Sequence, residues 1–203
     1  MLHFKLETAH MSLFTQPRPQ MKTQTSWLRR FRLLSAIASV VALSACAVPF
    51  PVYTVSSANV AALRSSERSI ELGTFTGDTS YVSCRLNQIQ PEGGKSFAQY
   101  IRSAFNDELV IAGNSSAKPK VPLNVKLIYI DVSCNSTDSR WEIDLEVTLP
   151  GREPFTVKTL RRFDYNFLGG VMLPRAYQAF VPTVQEAVAN VLAHPEVRRA
   201  QSQ

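Results

Sequence analysis

Histidine and cysteine are nearly missing from this chain: three of each in 203 residues, and of the histidines only His194 lies beyond residue 45. With no C-x-x-C spacing and a single late histidine, a Cys/His zinc site has little support. A hydrolytic Ser-His-Asp arrangement has no support either, because no nucleophile-elbow pattern accompanies His194. Cofactor motifs are absent. Gly93-Gly94-Lys95-Ser96 echoes the end of a phosphate-binding loop but lacks the first glycine at the required spacing, and reads as a turn into a helix. The chain also lacks the run of about 20 apolar residues that a membrane-spanning helix needs. Its longest such run, Leu33 to Ala45, is clearly shorter and is interrupted by serines.

Nor is the basic charge spread along the chain. The formal charge is +6, but residues 1–45 hold six of the 22 cations (Lys5, Arg18, Lys22, Arg29, Arg30, Arg32) and one of the 16 anions (Glu7). From Cys46 onward sixteen cations face fifteen anions, so the remainder is nearly neutral and nucleic-acid binding loses its only support. Apolar content of 45% and charged content of 19% fit a chain that buries a core, and the length allows one ordinary domain.

What the leading segment does contain is ordered. A cationic stretch, Trp27-Leu28-Arg29-Arg30-Phe31-Arg32, precedes the apolar run Leu33–Ala45, which is the layout of a cleaved export signal. Leu43-Ser44-Ala45-Cys46 then resembles the lipobox of bacterial lipoproteins: a branched apolar residue, two small ones and cysteine. The resemblance implies that Cys46 carries the acyl chains and becomes the first residue of the mature protein. Each buried methylene contributes about 0.8 kcal/mol, so two or three chains hold a protein durably on a membrane. Under the sorting rule known for lipoproteins of enteric bacteria, in which aspartate after the cysteine retains the protein in the inner membrane, the resemblance with Ala47 in that place implies routing to the outer membrane, facing the periplasm. Met21 would start a signal of ordinary length; Met1 and Met11 add a prefix with no evident role.

Assigning Cys46 to lipid leaves Cys84 and Cys134 as one pair in an oxidising compartment. Both lie in strand-like surroundings, so a disulfide between them is expected, with two buried free cysteines as the competing reading.

The mature part is expected to divide into a lipidated tether at 46–66 with a short ordered part near its end, a single domain at 67–197 and a tail at 198–203. Strands are expected at Ser69 to Phe75 and Tyr81 to Ile89. Phe97, Tyr100, Ile101, Ala104, Phe105, Leu109 and Ala112 recur at helical spacing, with Arg102, Asn106, Asp107 and Glu108 assigned to the solvated side. Val121, Leu123, Val125, Leu127 and Tyr129 alternate along a strand ending near Asp131, and Trp141 to Leu149 alternate along another. Phe155 to Phe163 is expected to return beside it, pairing Leu149 with Phe155, Val147 with Val157, Glu146 with Lys158 and Glu142 with Arg162. A last helix from Pro174 to Ala193 is expected to kink, or begin, at Pro182.

The resulting order ββαβββα predicts an α+β fold: an antiparallel or mixed sheet of about five strands with two amphipathic helices on one face. This layout resembles small envelope lipoproteins such as LpoB, the TolB amino-terminal domain and the auxiliary lipoproteins of lipid transporters. The likeness implies binding of envelope proteins or lipids rather than catalysis, and no functional residue carries over. The row Glu142, Asp144, Glu146 reads as a solvated sheet face in preference to paired catalytic carboxylates or a calcium site. His194 sits at a helix C-terminus, where a cation suits the dipole. The candidate interaction segment is "FDYNFLGG", with Phe163, Tyr165, Phe167 and Leu168, although such a segment is more often a buried crossover. The expectation is therefore a non-enzymatic outer-membrane lipoprotein with no cofactor or metal, acting as an interaction module for an envelope protein partner. The alternative is a carrier of lipid or another apolar ligand between sheet and helices.

Overall fold

A computed structural model describes residues 49–113, 118–164 and 169–202. Its centre is a mixed four-stranded sheet in the order β1-β4-β5-β6, formed by β1 (Ser69–Thr76), β4 (Lys120–Cys134), β5 (Ser139–Thr148) and β6 (Phe155–Arg162). β1 runs parallel to β4, and the other two junctions are antiparallel. Between β1 and β4 the chain makes a separate hairpin, β2 (Val82–Cys84) and β3 (Asn87–Ile89), and then a long helix. The α+β class is as expected, but the single strand over Tyr81–Ile89 is this hairpin, so the main sheet has four strands.

Four α-helices occur among the described residues: α1 (Ser57–Ser65), α2 (Phe97–Ile111), α3 (Gly169–Ala193) and α4 (Pro195–Gln201). α2 starts where Ser96 and Gln99 form a reciprocal capping box. α3 runs without interruption through Pro174 and Pro182, so the helix does not begin at Pro182. Pro182 leaves the carbonyl of Gln178 without its usual donor, but Gln178 is exposed. The buried Thr183 hydroxyl donates to the neighbouring Ala179 carbonyl at 2.7 Å.

α2 and α3 lie on one face of the sheet and meet over Trp141. The Trp141 ring is 4.7 Å from Phe180 and 6.2 Å from Phe97, and its Nε1 donates to the Ala176 carbonyl at 2.7 Å. The opposite face, with Lys120, Asn124, Lys126 and Lys158, is open to solvent.

Three details of the sheet differ from the sequence reading. A bulge between Leu127 and Tyr129 inserts Ile128, so the inward parity passes from Leu127 to Ile130 and Tyr129 turns outward. Strand β4 also continues past Asp131 to Cys134. Pairing of β5 with β6 is shifted by two: Val147 faces Phe155, Leu145 faces Val157, Asp144 faces Lys158 and Glu142 faces Leu160. A shift of two keeps every side chain on its face, so apolar matching cannot choose between the registers. The turn chooses: Leu149 accepts from Arg152 N at 3.2 Å, Gly151 takes φ 69°, and Leu149 is thereby withdrawn from the ladder into the core.

The segments expected to be tether and tail are also structured. Phe50 is buried, α1 lies within 46–66, and α4 reaches Gln201, whose carbonyl accepts from Arg68 N at 3.1 Å just before β1.

Candidate functional site

The segment from Phe50 to Thr54 is fastened along α2 and α3 by side chains from both. The Phe50 ring lies 5.1 Å from Phe180, 5.4 Å from Tyr177, 5.5 Å from Tyr100 and 6.1 Å from Phe97, mostly edge to face. The Tyr100 hydroxyl donates to the Pro51 carbonyl at 2.9 Å, and Gln185 Nε2 donates to the Thr54 carbonyl at 2.7 Å. Burial pushes the Tyr100 hydroxyl above its ordinary pKa.

Glu108 is the polar centre of this arrangement. Rather than facing solvent, it is fully buried, and its Oε1 accepts from the Tyr53 hydroxyl, from Asn59 Nδ2 at 3.1 Å and from Ser56 N at 3.3 Å. Asn59 also donates to the Gln185 carbonyl at 2.9 Å, so one amide joins α1, α2 and α3. Oε2 of Glu108 has no hydrogen-bond partner. Desolvation raises the Glu108 pKa, against the opposing pull of those donors, and burial followed by the Glu108 contact raises that of Tyr53. The sequence reading missed Glu108, yet a signal was present. Spacings of seven from Ile101, four from Ala104 and three from Phe105 place it on the apolar stripe.

Cys84 and Cys134 are joined by a disulfide with a Cα–Cα distance of 5.4 Å, which staples the β2–β3 hairpin to the end of β4. Arg85 follows with φ 56°, and its Nε donates to the Cys134 carbonyl at 3.2 Å. Leu86 at the turn is wholly exposed.

The remaining candidates separate. Phe163 is half-buried against the core, with its N–H donating to the Ser139 carbonyl at 3.0 Å; Tyr165, Phe167 and Leu168 lie outside the described residues, as does Cys46. Asp144 pairs with Lys158 at 2.9 Å and holds the lysine pKa up, and Glu142 lies 3.6 Å from Arg140. Among the described residues no group of three His, Cys, Asp or Glu is placed to hold a metal. His194, after the last turn of α3, caps α4: its Nδ1 accepts from Glu196 N at 3.4 Å and its ring stacks on Phe155 at 3.8 Å. Glu196 pairs with Arg152, which lowers its pKa, and with Arg199. The Gly93-Gly94 turn, both residues at φ 71°, leads into the α2 cap.

A cleft of about 440 Å³ lies between α1, α3 and α4, lined by Ala58, Asn59, Ala62, Leu63, Leu192 and Arg198 among others. It is away from the sheet–helix interface, where Phe97, Ile101, Trp141, Phe180 and Val184 are all fully buried in mutual contact. No helix among the described residues is long and apolar enough to cross a membrane.

Fold and site together define a disulfide-stapled α+β domain with a fastened N-terminal segment. No family model matches the chain, and no curated protein matches it. Among solved structures, it is similar to a Xanthomonas campestris protein of the family DUF330, at 12% identity and TM-score 0.44, over 71% of this chain and 92% of that one. It is also similar to a candidate lipoprotein of Caulobacter crescentus, at 11% identity and TM-score 0.36, over 67% and 90% of the two chains.

Proposed function

We propose that the protein is a non-enzymatic lipoprotein, anchored by acyl chains on Cys46 at the periplasmic side of the outer membrane, whose domain is an interaction module for an envelope protein partner. The observation that carries this reading is the cationic and apolar leader ending in Leu43-Ser44-Ala45-Cys46. One structural fact supports it: the Cys84–Cys134 disulfide suits an oxidising compartment. The filled interface between sheet and helices favours a binding surface over an internal apolar carrier site.

The test is Cys46→Ser in the full chain expressed in a bacterial envelope. Wild-type protein is expected to float with membranes and to carry acyl mass on its N-terminal peptide, and the variant to lose both. A variant that stays on membranes, or a wild-type chain without acyl mass, overturns the reading. In-cell crosslinking followed by capture then identifies the partner, and failure to recover any envelope protein refutes the module assignment.

A further inference from the structure

Three helices, α1, α3 and α4, meet without filling the space between them. The cleft of about 440 Å³ that they leave is lined by Ala58 and Ala62 of α1 and by Ala189 and Ala193 of α3, whose methyl groups are too short to close it. Its walls are fixed before anything binds. Asn59 ties α1 to α2 and α3, His194 caps the start of α4, and the Gln201 carbonyl at the end of α4 accepts from Arg68 N at 3.1 Å. A site held in shape this way needs little ordering when a ligand arrives, and its volume is that of a small-molecule site.

The polar groups of the cleft lack partners. Gln201 is 8% exposed and lines the cleft, yet its side-chain amide has no hydrogen-bond partner among the described residues. A buried amide left unpaired is costly, and a ligand here would satisfy its donor and its acceptor. Asn59, also buried, gives both amide hydrogens to Glu108 and Gln185 and keeps its oxygen. Two exposed charges complete the lining, Arg198 from α4 and Glu67 from the turn between α1 and β1. Neither forms an ion pair with the other or with any other described residue, although the neighbouring Arg199 pairs with Glu196. Opposite charges that line one cleft without meeting are bridged by a molecule that carries both.

We propose that this cleft is a binding site for a small zwitterion with an apolar side chain, the chemistry of an apolar α-amino acid. The ligand's carboxylate pairs with Arg198, its ammonium with Glu67 and the oxygens of Asn59 and Gln201, and its side chain lies against Leu63, Leu192 and the alanines. A monoanion would pair with Arg198 but meet Glu67 as a like charge, and a monocation would meet Arg198 in the same way. The site is separate from the filled interface between sheet and helices and needs no acyl anchor, so it goes beyond the lipoprotein reading and does not depend on it.

Equilibrium dialysis of the full chain, purified in a non-ionic detergent, against radiolabelled leucine and phenylalanine tests the site. Saturable binding is expected. Isocaproate, which lacks the ammonium, isoamylamine, which lacks the carboxylate, and glycine, which lacks the apolar side chain, are each expected to compete roughly tenfold more weakly than leucine. Arg198→Gln and Glu67→Gln, both at exposed positions, are each expected to weaken leucine binding roughly tenfold, and Glu153→Gln in the β5–β6 turn to leave it unchanged. Ala62→Leu, also at an exposed position, fills the cleft and is expected to abolish binding without lowering the thermal unfolding midpoint. Absence of saturable binding of either amino acid up to millimolar concentration overturns the proposal. So does a single-charge analogue that competes as well as leucine, or leucine binding that survives all three cleft variants. A short-chain phosphatidylethanolamine that binds more tightly than leucine assigns the zwitterion to a lipid head group and likewise overturns it.

Discussion

Glu108 is a carboxylate in a position that the helical pattern reserves for an apolar residue, and its burial has a pH consequence. Its folded pKa is raised by desolvation. Between the ordinary carboxylate value and that raised value the folded state binds a proton that the unfolded state has released. Stability is therefore fully present below the unfolded pKa and is lost as pH rises through the folded one. Urea denaturation across a pH series is expected to show this decline in the wild type and to lose it in Glu108→Gln, which keeps an acceptor for Tyr53 and Asn59 without the buried charge. Glu108→Ala strands those two donors and is expected to cost about 1–3 kcal/mol at every pH. Gly77 is the other residue with a sharp requirement. At φ 138° a Cβ would stand 2.9 Å from Leu127 Cβ and 3.1 Å from Ala98 Cβ, so Gly77→Ala is expected to destabilise by about 1–3 kcal/mol in the same assay.

Among the elements, the β2–β3 hairpin depends on a covalent bond more than any other, because its two strands are three residues each and pair only with one another. The disulfide closes a loop with a sequence separation of 50, for which chain entropy gives about 4 kcal/mol. The double variant Cys84→Ser, Cys134→Ser is expected to lose about 2–4 kcal/mol by denaturant titration. Hydrogen exchange in it should rise first at Val82–Ile89; uniform protection across the hairpin and the main sheet would contradict the stapling role.

The element scale also shows what could be read in advance. Both long helices and the strand around Trp141 were legible, because a buried stripe must repeat at 3.6 or 2 residues. The cysteine pair was legible from count and compartment. The β5–β6 register was not, since displacement by two satisfies both faces equally and the Leu149–Arg152 turn decides. The bulge at Ile128 was hidden because apolar residues stand at both parities there. Glu108 was lost to the habit of assigning charge to solvent, although its spacing from Ile101 and Phe105 marked it as inward. α1 left only the trace of a short ordered part, because its buried residues are Asn59, Val60 and Leu63, too few apolar positions to mark a period.

At the scale of the whole molecule, the near neutrality of the chain after Cys46 separates two ways of staying on a membrane. Attraction to anionic headgroups weakens steeply with salt, whereas buried methylenes do not. Membrane-bound protein is therefore expected to resist extraction by high salt and to be released by detergent; release by salt alone would assign retention to charge. Phe50 adds a mechanical property. If Cys46 is acylated as proposed, the chain from the bilayer leads into a ring wedged between Phe97 and Phe180, at the seam where α2 and α3 meet over Trp141. A pull on that anchor would then be loaded directly onto the centre of the fold. A pull that frees Phe50 loosens the packing of both helices before it reaches the sheet.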